Sequence, residues 1–311
     1  MLIFHFTHAL YAHVRCLRVS NQRWVAGACF IVAVGYLVRP KVPLEAYAAL
    51  SPAKTGAALA SAIGSQFVAG DYWTTWPLVF ELLNIRGHAF GLAYRAEGNR
   101  ERTLDALNSE LEDRGDLRIF CSSASARECS DELAQITNRK WKVNQEMQFN
   151  DSAMLVMKPE DFNPDNYDMT RLSFAPDEEG KKYLLSGWSI AEQWGTWSDG
   201  MSASILLKLP GYIDRDLMLT IQAHALINEK HPEQEVDVIV NRHLLGTLEY
   251  TTNSDQVSSL RIPKVLLSEN NGKVLIHFDF KNPKSPANLG MSRDVRRVGL
   301  GLVSLQLSLK E

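Results

Sequence analysis

The 311-residue chain is 45% hydrophobic and 22% charged, enough apolar content to bury one large core or two ordinary ones. Its 33 basic and 36 acidic residues leave a net charge of -3. The basic residues are dispersed, so no cationic field exists to gather phosphates, and nucleic acid is not expected as a partner.

Residues 1–14, MLIFHFTHALYAHV, are apolar but too short to span a bilayer, and they read as the tail of a longer helix. From Trp24 to Val38 the chain runs WVAGACFIVAVGYLV without a charge, between Arg23 on one side and Arg39 and Lys41 on the other. As a helix this run reaches about 22 Å against roughly 30 Å of hydrocarbon, so spanning needs snorkelling arginines, local thinning or recruited neighbours. Trp24 and Tyr36 suit the two interfaces. We therefore expect a membrane anchor over residues 1–42, with a transmembrane helix at about 24–38 and membrane lipid as a partner. Arg15, Arg18 and Arg23 favour a cytoplasmic loop before the helix and export of everything after it, which places the chain in a bacterial inner membrane with its soluble region in the periplasm. Arg39 and Lys41 pull the other way. Two rival readings stay open: a signal peptide cleaved near Ala46-Tyr47-Ala48, well past the apolar core, and a buried core helix.

Residues 43–164 alternate helix-like and strand-like pieces, which predicts a small α/β layer domain. An Ala-rich helix over 51–64 precedes Gln66-Phe67-Val68-Ala69, then the aromatic segment Gly70-Asp71-Tyr72-Trp73-Thr74-Thr75-Trp76-Pro77 and a helix-like LVFELLN. Strands are expected at Ala89 to Tyr94, Leu117 to Cys121 and Ala153 to Met157, separated by helices at Thr103 to Arg114 and Cys129 to Trp141. Neither G-x-G-x-x-G nor G-x-x-x-x-G-K-[ST] occurs, so the usual phosphate cradles are missing and no cofactor is expected. Tyr72, Trp73 and Trp76 either close a core or meet a membrane surface or a glycan. Cys121 and Cys129, eight apart, either form a disulfide in an exported region or stay as thiols. There is no C-x-x-C, and His5, His8 and His13 lie in the apolar start, so no metal site is expected.

Residues 165–311 predict an antiparallel β-sandwich, jelly-roll-like, without a long helix. Leu217, Leu219, Ile221 and Ala223 alternate with Met218, Thr220, Gln222 and His224, and the same period recurs over Val274 to Lys281 and Val303 to Lys310. Asn241-Arg242 between two apolar runs predicts a tight hairpin, because Asn tolerates positive φ. The overall class is α+β multi-domain. Two loops could carry function. In Gly187-Trp188-Ser189-Ile190-Ala191-Glu192-Gln193-Trp194-Gly195-Thr196-Trp197-Ser198-Asp199-Gly200, Trp faces can stack on sugar C–H surfaces while carboxylates accept hydroxyl hydrogen bonds. That makes Trp188, Glu192, Trp194, Trp197 and Asp199 candidate saccharide contacts, with Trp188 and Trp197 as core fillers the competing reading. In the loop from Asn282 to Arg297, Arg293, Asp294 and Arg296 could clamp hydroxyls, or Asp294 and Arg296 could pair with each other.

Across these two loops, GWS-x-x-E-x-W-G-x-W-S-D-G followed by N-P-x-S-P-x-x-L-G-x-S-x-D-x-R-x-x-G-L-G-L resembles an uncharacterised C-terminal β domain of bacterial cell-envelope membrane glycosyltransferases. The upstream GDYWTTWP and Gly91-Leu92-Ala93-Tyr94-Arg95 are similar to the exported region of lipid-linked-sugar-dependent transferases. The resemblance implies a site at the outer face of the cytoplasmic membrane and a part in glycan or glycolipid assembly. It does not bring a catalytic residue, because that family's catalytic carboxylate lies among transmembrane helices absent from this sequence.

The leading functional expectation is thus a non-catalytic exported region whose sandwich binds saccharide during cell-surface glycan assembly. The alternative is a scaffolding or protein-interaction module beside a separate membrane glycosyltransferase. An enzyme in its own right would draw on the D-x-D of Asp214-Arg215-Asp216, a weak signal without a companion donor-binding motif.

Overall fold

The computed structural model describes residues 52–93, 100–122, 125–149, 151–165, 167–211, 213–268 and 272–309. The expected anchor over 1–42 lies outside them. Among the described residues, no helix is long and apolar enough to cross a membrane.

The Ala-rich run forms α1 (Pro52–Ala62), and the aromatic segment opens α2 (Tyr72–Arg86). Asp71 starts α2 from an extended conformation, its carboxylate accepting the Trp73 and Thr74 backbone N–H groups at 2.9 and 3.3 Å. Gly87, at φ 78°, ends the helix in the left-handed region that an L side chain resists. Strands β1 (Phe67–Ala69), β2 (Phe90–Gly91) and β3 (Leu117–Cys121) pair in parallel in the order β2-β1-β3. The sheet continues antiparallel through β5 (Ser152–Pro159) to the edge strand β4 (Trp141–Phe149). Alternation sorts its side chains: Val68 and Phe120 pack with Ala57, Ala60, Leu78 and Leu82 of α1 and α2, while Phe67, Ala69 and Ile119 face the other way. Those meet α3 (Arg100–Arg114) and α4 (Ala126–Thr137) through Leu104, Leu107, Leu111, Leu133 and Ile136.

The helix expected over Cys129 to Trp141 stops at Thr137, where Asn138 takes the left-handed cap, and Trp141 begins β4 instead. Only one side of that edge strand is paired and most of its side chains face solvent, so its sequence lacks the apolar alternation that announces a strand.

The C-terminal half is an antiparallel sandwich of two five-stranded sheets. The first contains β13 (Gln256–Ile262), β10 (Leu217–His224), β15 (Gly301–Leu309) and β6 (Leu172–Ser173) in that order, with β8 (Thr196–Trp197) also paired to β15. The second runs β12 (His243–Tyr250), β11 (Gln234–Val240), β14 (Lys273–Lys281), β9 (Ser202–Lys208), β7 (Leu184–Ser186). The expected inward set is buried: Leu217, Leu219, Ile221 and Ala223 face Val274, Ile276, Phe278 and Phe280 across one apolar core. Asn241 and Arg242, at φ 49° and 71°, make the predicted hairpin turn between β11 and β12. Among the described residues after 165, the helical pieces are a 3-10 turn at Glu179–Tyr183 and a single turn at Val265–Ser268.

Residues Pro52–Glu311 form one compact unit. The outer face of the second sheet is covered, because Leu185, Leu206 and Leu275 join the apolar cluster under α3. Glu112 of α3 completes that contact, accepting Ser186 and Ser204 hydroxyls at 2.8 and 2.6 Å and lying 3.0 Å from His277 Nδ1. Among the described residues no element covers the outer face of the first sheet, whose outward side chains on β10 and β13 are half-buried or exposed.

Candidate functional site

The chain between β7 and β9 folds back on itself as a hairpin: Trp188 bridges Ser198, and Glu192 bridges Gly195 at the tip. Gly195 has φ 156°, and a Cβ there would lie 2.2 Å from the Leu302 carbonyl oxygen, so only glycine lets the hairpin lie against β15. This close approach brings the tip over the end of β10, on the open face of the first sheet.

There, three rings meet. Trp194 and Trp197 have centroids 5.3 Å apart at 75°, and the His224 imidazole sits 4.4 Å from Trp194 and 4.9 Å from Trp197. His224 is an outward position of β10, and its Nδ1 lies 2.8 Å from Asp255 Oδ1, a bond that fixes the ring plane. Beneath the rings is Gly301, where a Cβ would come within 2.5 Å of His224 Nε2 and 3.0 Å of Trp194 Cη2. Trp194 and Trp197 are half-buried.

Polar groups border the rings on both sides. Trp194 Nε1 donates to Glu192 Oε2 at 3.1 Å, and the other Glu192 oxygen lies 3.7 Å from Arg296 Nη2. Arg296 in turn grips Asp294 through Nε and Nη2 at 3.0 and 2.7 Å. Burial alone would raise the Asp294 pKa, but its bonds to the Arg296 side chain and backbone and the nearby guanidinium charge hold it below the ordinary carboxylate value. The pairing with Asp294 raises Arg296, burial opposing it. Toward the sheet centre, Asp255 Oδ2 accepts Gln222 Nε2 at 2.9 Å, and Gln222 and Ser304 both bond Arg171. The result is a strip running from Arg171 across Gln222 and Asp255 to the aromatic end.

The expected site residues separate into two groups. Glu192, Trp194, Trp197, Asp294 and Arg296 come together here, and Arg293 is exposed on the adjoining loop. Trp188 does not join them: it is 2% exposed, donates its indole N–H to the Ser204 carbonyl at 2.9 Å and packs edge-on against Phe278. Asp199 is also withdrawn, being 3% exposed and doubly bonded to Arg100 of α3 at 3.1 and 2.5 Å. The physical reason is shared. Both sit at the base of the hairpin, where the sandwich edge meets its core or α3, and a desolvated carboxylate there needs its guanidinium. His224, Asp255, Gln222 and Arg171 escape sequence reading as site residues. Strand alternation points His224 outward, but nothing local in the sequence says that the Trp hairpin lands on it.

The other expected features have definite places. Cys121 and Cys129 are joined by a disulfide that ties the end of β3 to α4. Asp214 and Asp216 face cations, Lys264 at 2.8 Å and Arg261 at 2.5 Å, in place of converging on a common point.

Residues 162–309 match the family model of a domain of unknown function, DUF7024. No curated protein matches the chain. Among solved structures, similarity extends to the CBM36-1 domain of a multidomain xylanase from the hindgut metagenome of Trinervitermes trinervoides, at 9% identity and a TM-score of 0.29 over 46% of this chain and 98% of that one. A carbohydrate-binding module CBM36 in complex with calcium and xylotriose matches at 12% identity and 0.29, over 45% and 99%. The insecticidal delta-endotoxin Cry8Ea1 from Bacillus thuringiensis matches at 11% identity and 0.33, over 55% and 30%.

Proposed function

We propose that this chain is a non-catalytic saccharide-binding protein, and that the sugar docks on the open sandwich face around Trp194, Trp197 and His224. The observation that carries the reading is the partly exposed ring cluster bordered by Glu192, Arg296 and Asp255. Ring faces suit sugar C–H surfaces, and fixed carboxylates and a guanidinium beside them suit hydroxyls. Arg293 and Asp294 flank the same face, while Trp188 and Asp199 hold the hairpin in place.

The wider setting in this proposal is the periplasmic side of a bacterial inner membrane, with the protein tethered through Trp24 to Val38 and working beside a membrane glycosyltransferase in cell-surface glycan assembly. The uncharged run, the motif resemblance and the Cys121–Cys129 bond, a linkage favoured in oxidising compartments, support it.

The test is a titration of the full chain in detergent with a panel of envelope oligosaccharides, followed by tryptophan fluorescence. A saturable change is expected, weakened about tenfold in Trp194→Ala, which corresponds to ~1.4 kcal/mol of lost stacking and burial. A flat response across the panel would remove the proposal.

A further inference from the structure

We infer that α2 is a membrane-docking element, laying an aromatic face into the interfacial layer of a lipid bilayer. Thirteen large hydrophobic side chains are exposed among the described residues, and five of them lie on this one helix: Tyr72, Trp73, Phe80, Leu83 and Ile85. Trp73 is 81% exposed and Phe80 55%. Trp73, Pro77, Phe80 and Asn84 follow one another at spacings of four, three and four, so they share one stripe, with Tyr72 and Trp76 beside its start. The opposite stripe, Leu78, Val79 and Leu82, is buried against α1 and the sheet. A helix apolar on both sides requires an apolar surrounding on both sides, and the folded unit supplies one.

The chemistry of the exposed stripe selects lipid over a protein groove. Within α2 the ionisable side chains are Tyr72, Glu81 and Arg86, and the Asp71 carboxylate is occupied in capping. Tyr72 and Trp73 form an exposed edge-on pair 5.4 Å apart, backed by the half-buried Trp76 at 6.2 Å from Tyr72, and amphipathic rings of this kind settle at the headgroup boundary. With Leu78, Val79 and Leu82 buried against the folded unit and with Glu81 and Arg86 in its length, the helix suits lying in the interfacial plane. The sequence before it points to the same occupant. Residues 39–51 alone separate the uncharged run Trp24 to Val38 from the first residue of α1. Fully extended they reach about 45 Å, so a bilayer holding that run keeps α1, and α2 packed on it, close by. Only this proximity rests on the proposed tether; the exposed face of α2 does not, and neither depends on the saccharide.

The experiment uses the full chain in vesicles of phosphatidylcholine and phosphatidylglycerol, with Cys16→Ser and Cys29→Ser leaving the disulfide pair alone. An environment-sensitive NBD label goes on Asn84→Cys, with Val257→Cys on the first sandwich sheet as the control position. We expect the Asn84 label to shift to the blue and to escape quenching by aqueous iodide, and the Val257 label to do neither. Trp73→Ser with Phe80→Ser should abolish the shift at unchanged far-UV circular dichroism, and Trp73→Ser alone should reduce it. A quenchable, unshifted Asn84 label overturns the docking, as does a shift that grows with protein-to-lipid ratio, which marks contact between copies. Alkaline carbonate extraction separates the two premises. Retention with an aqueous Asn84 label sinks the docking and spares the tether, release with an aqueous label sinks both, and release with a shifted label at neutral pH upholds docking without the tether.

Discussion

Replacing Asp199 with Asn tests the structural role assigned to a residue that sequence motifs offer as a sugar ligand. The Asp199 side chain is 3% exposed and that of Arg100 14%, so the pair is almost wholly removed from water. Asp199 Oδ1 also accepts the Arg297 backbone N–H at 3.3 Å, and its own N–H donates to the Gly187 carbonyl at 2.8 Å. Breaking a buried pair from one side costs about 3–5 kcal/mol, because the remaining charge loses its partner without regaining its water. Asn keeps the volume and one acceptor, and Arg100 retains a solvent edge, so the expected loss is about 3 kcal/mol. For a unit of this size that is a fall in Tm of about 6–12 °C. Calorimetry on wild type, Asp199→Asn, Arg100→Gln and the double variant gives the coupling directly, expected above ~1 kcal/mol. Saccharide affinity should fall by less than the roughly tenfold loss expected of Trp194→Ala, because Asp199 supports the hairpin and does not touch the sugar. A destabilisation under ~0.5 kcal/mol accompanied by lost binding would refute the reasoning and return Asp199 to the site.

Two further outcomes follow from the geometry. Burial opposes the charged forms of both Glu112 and His277, yet their mutual hydrogen bond and attraction lower Glu112 below its ordinary 4.5 and raise His277 above 6.5. The His277 contribution is therefore complete below pH 6.5 and fades as pH rises through its folded value, while that of Glu112 is present above 4.5 and fades as pH falls. Melting temperature should peak between those limits and decline on the alkaline side, and Glu112→Gln should flatten that decline; a wild-type Tm that does not change from pH 6 to 8 would count against the pair. Gly301→Ala should push the His224 and Trp194 rings apart and reduce saccharide affinity at least as much as Trp194→Ala, with a stability loss near ~1 kcal/mol, measured by the same fluorescence titration and a denaturant melt.

The amino-acid order alone determined most of the sandwich. Period-two alternation in β10 and β14 assigns each side chain to a face, and Asn241-Arg242 sets the hairpin, because both effects act within a few residues. In β15 the alternation holds at Leu305 and Leu307 but fails at Val303, where a register shift against β10 turns Leu302 inward instead, and at Leu309, which is exposed. It also brought Glu192, Trp194 and Trp197 to attention in one loop, and Asp294 and Arg296 in another. What it could not decide is which members of those loops reach solvent. Trp188 and Trp194 are chemically identical six residues apart, yet one fills the core against Phe278 and the other lies over His224. Asp199 and Glu192 divide in the same way, one bound to Arg100 in α3 and the other at the surface. Those partners are separated from the loop by about thirty to a hundred residues, so their approach depends on sheet order and on the packing of α3 against the second sheet. Local pattern carries no record of contacts made across such distances, and tertiary structure alone closes them.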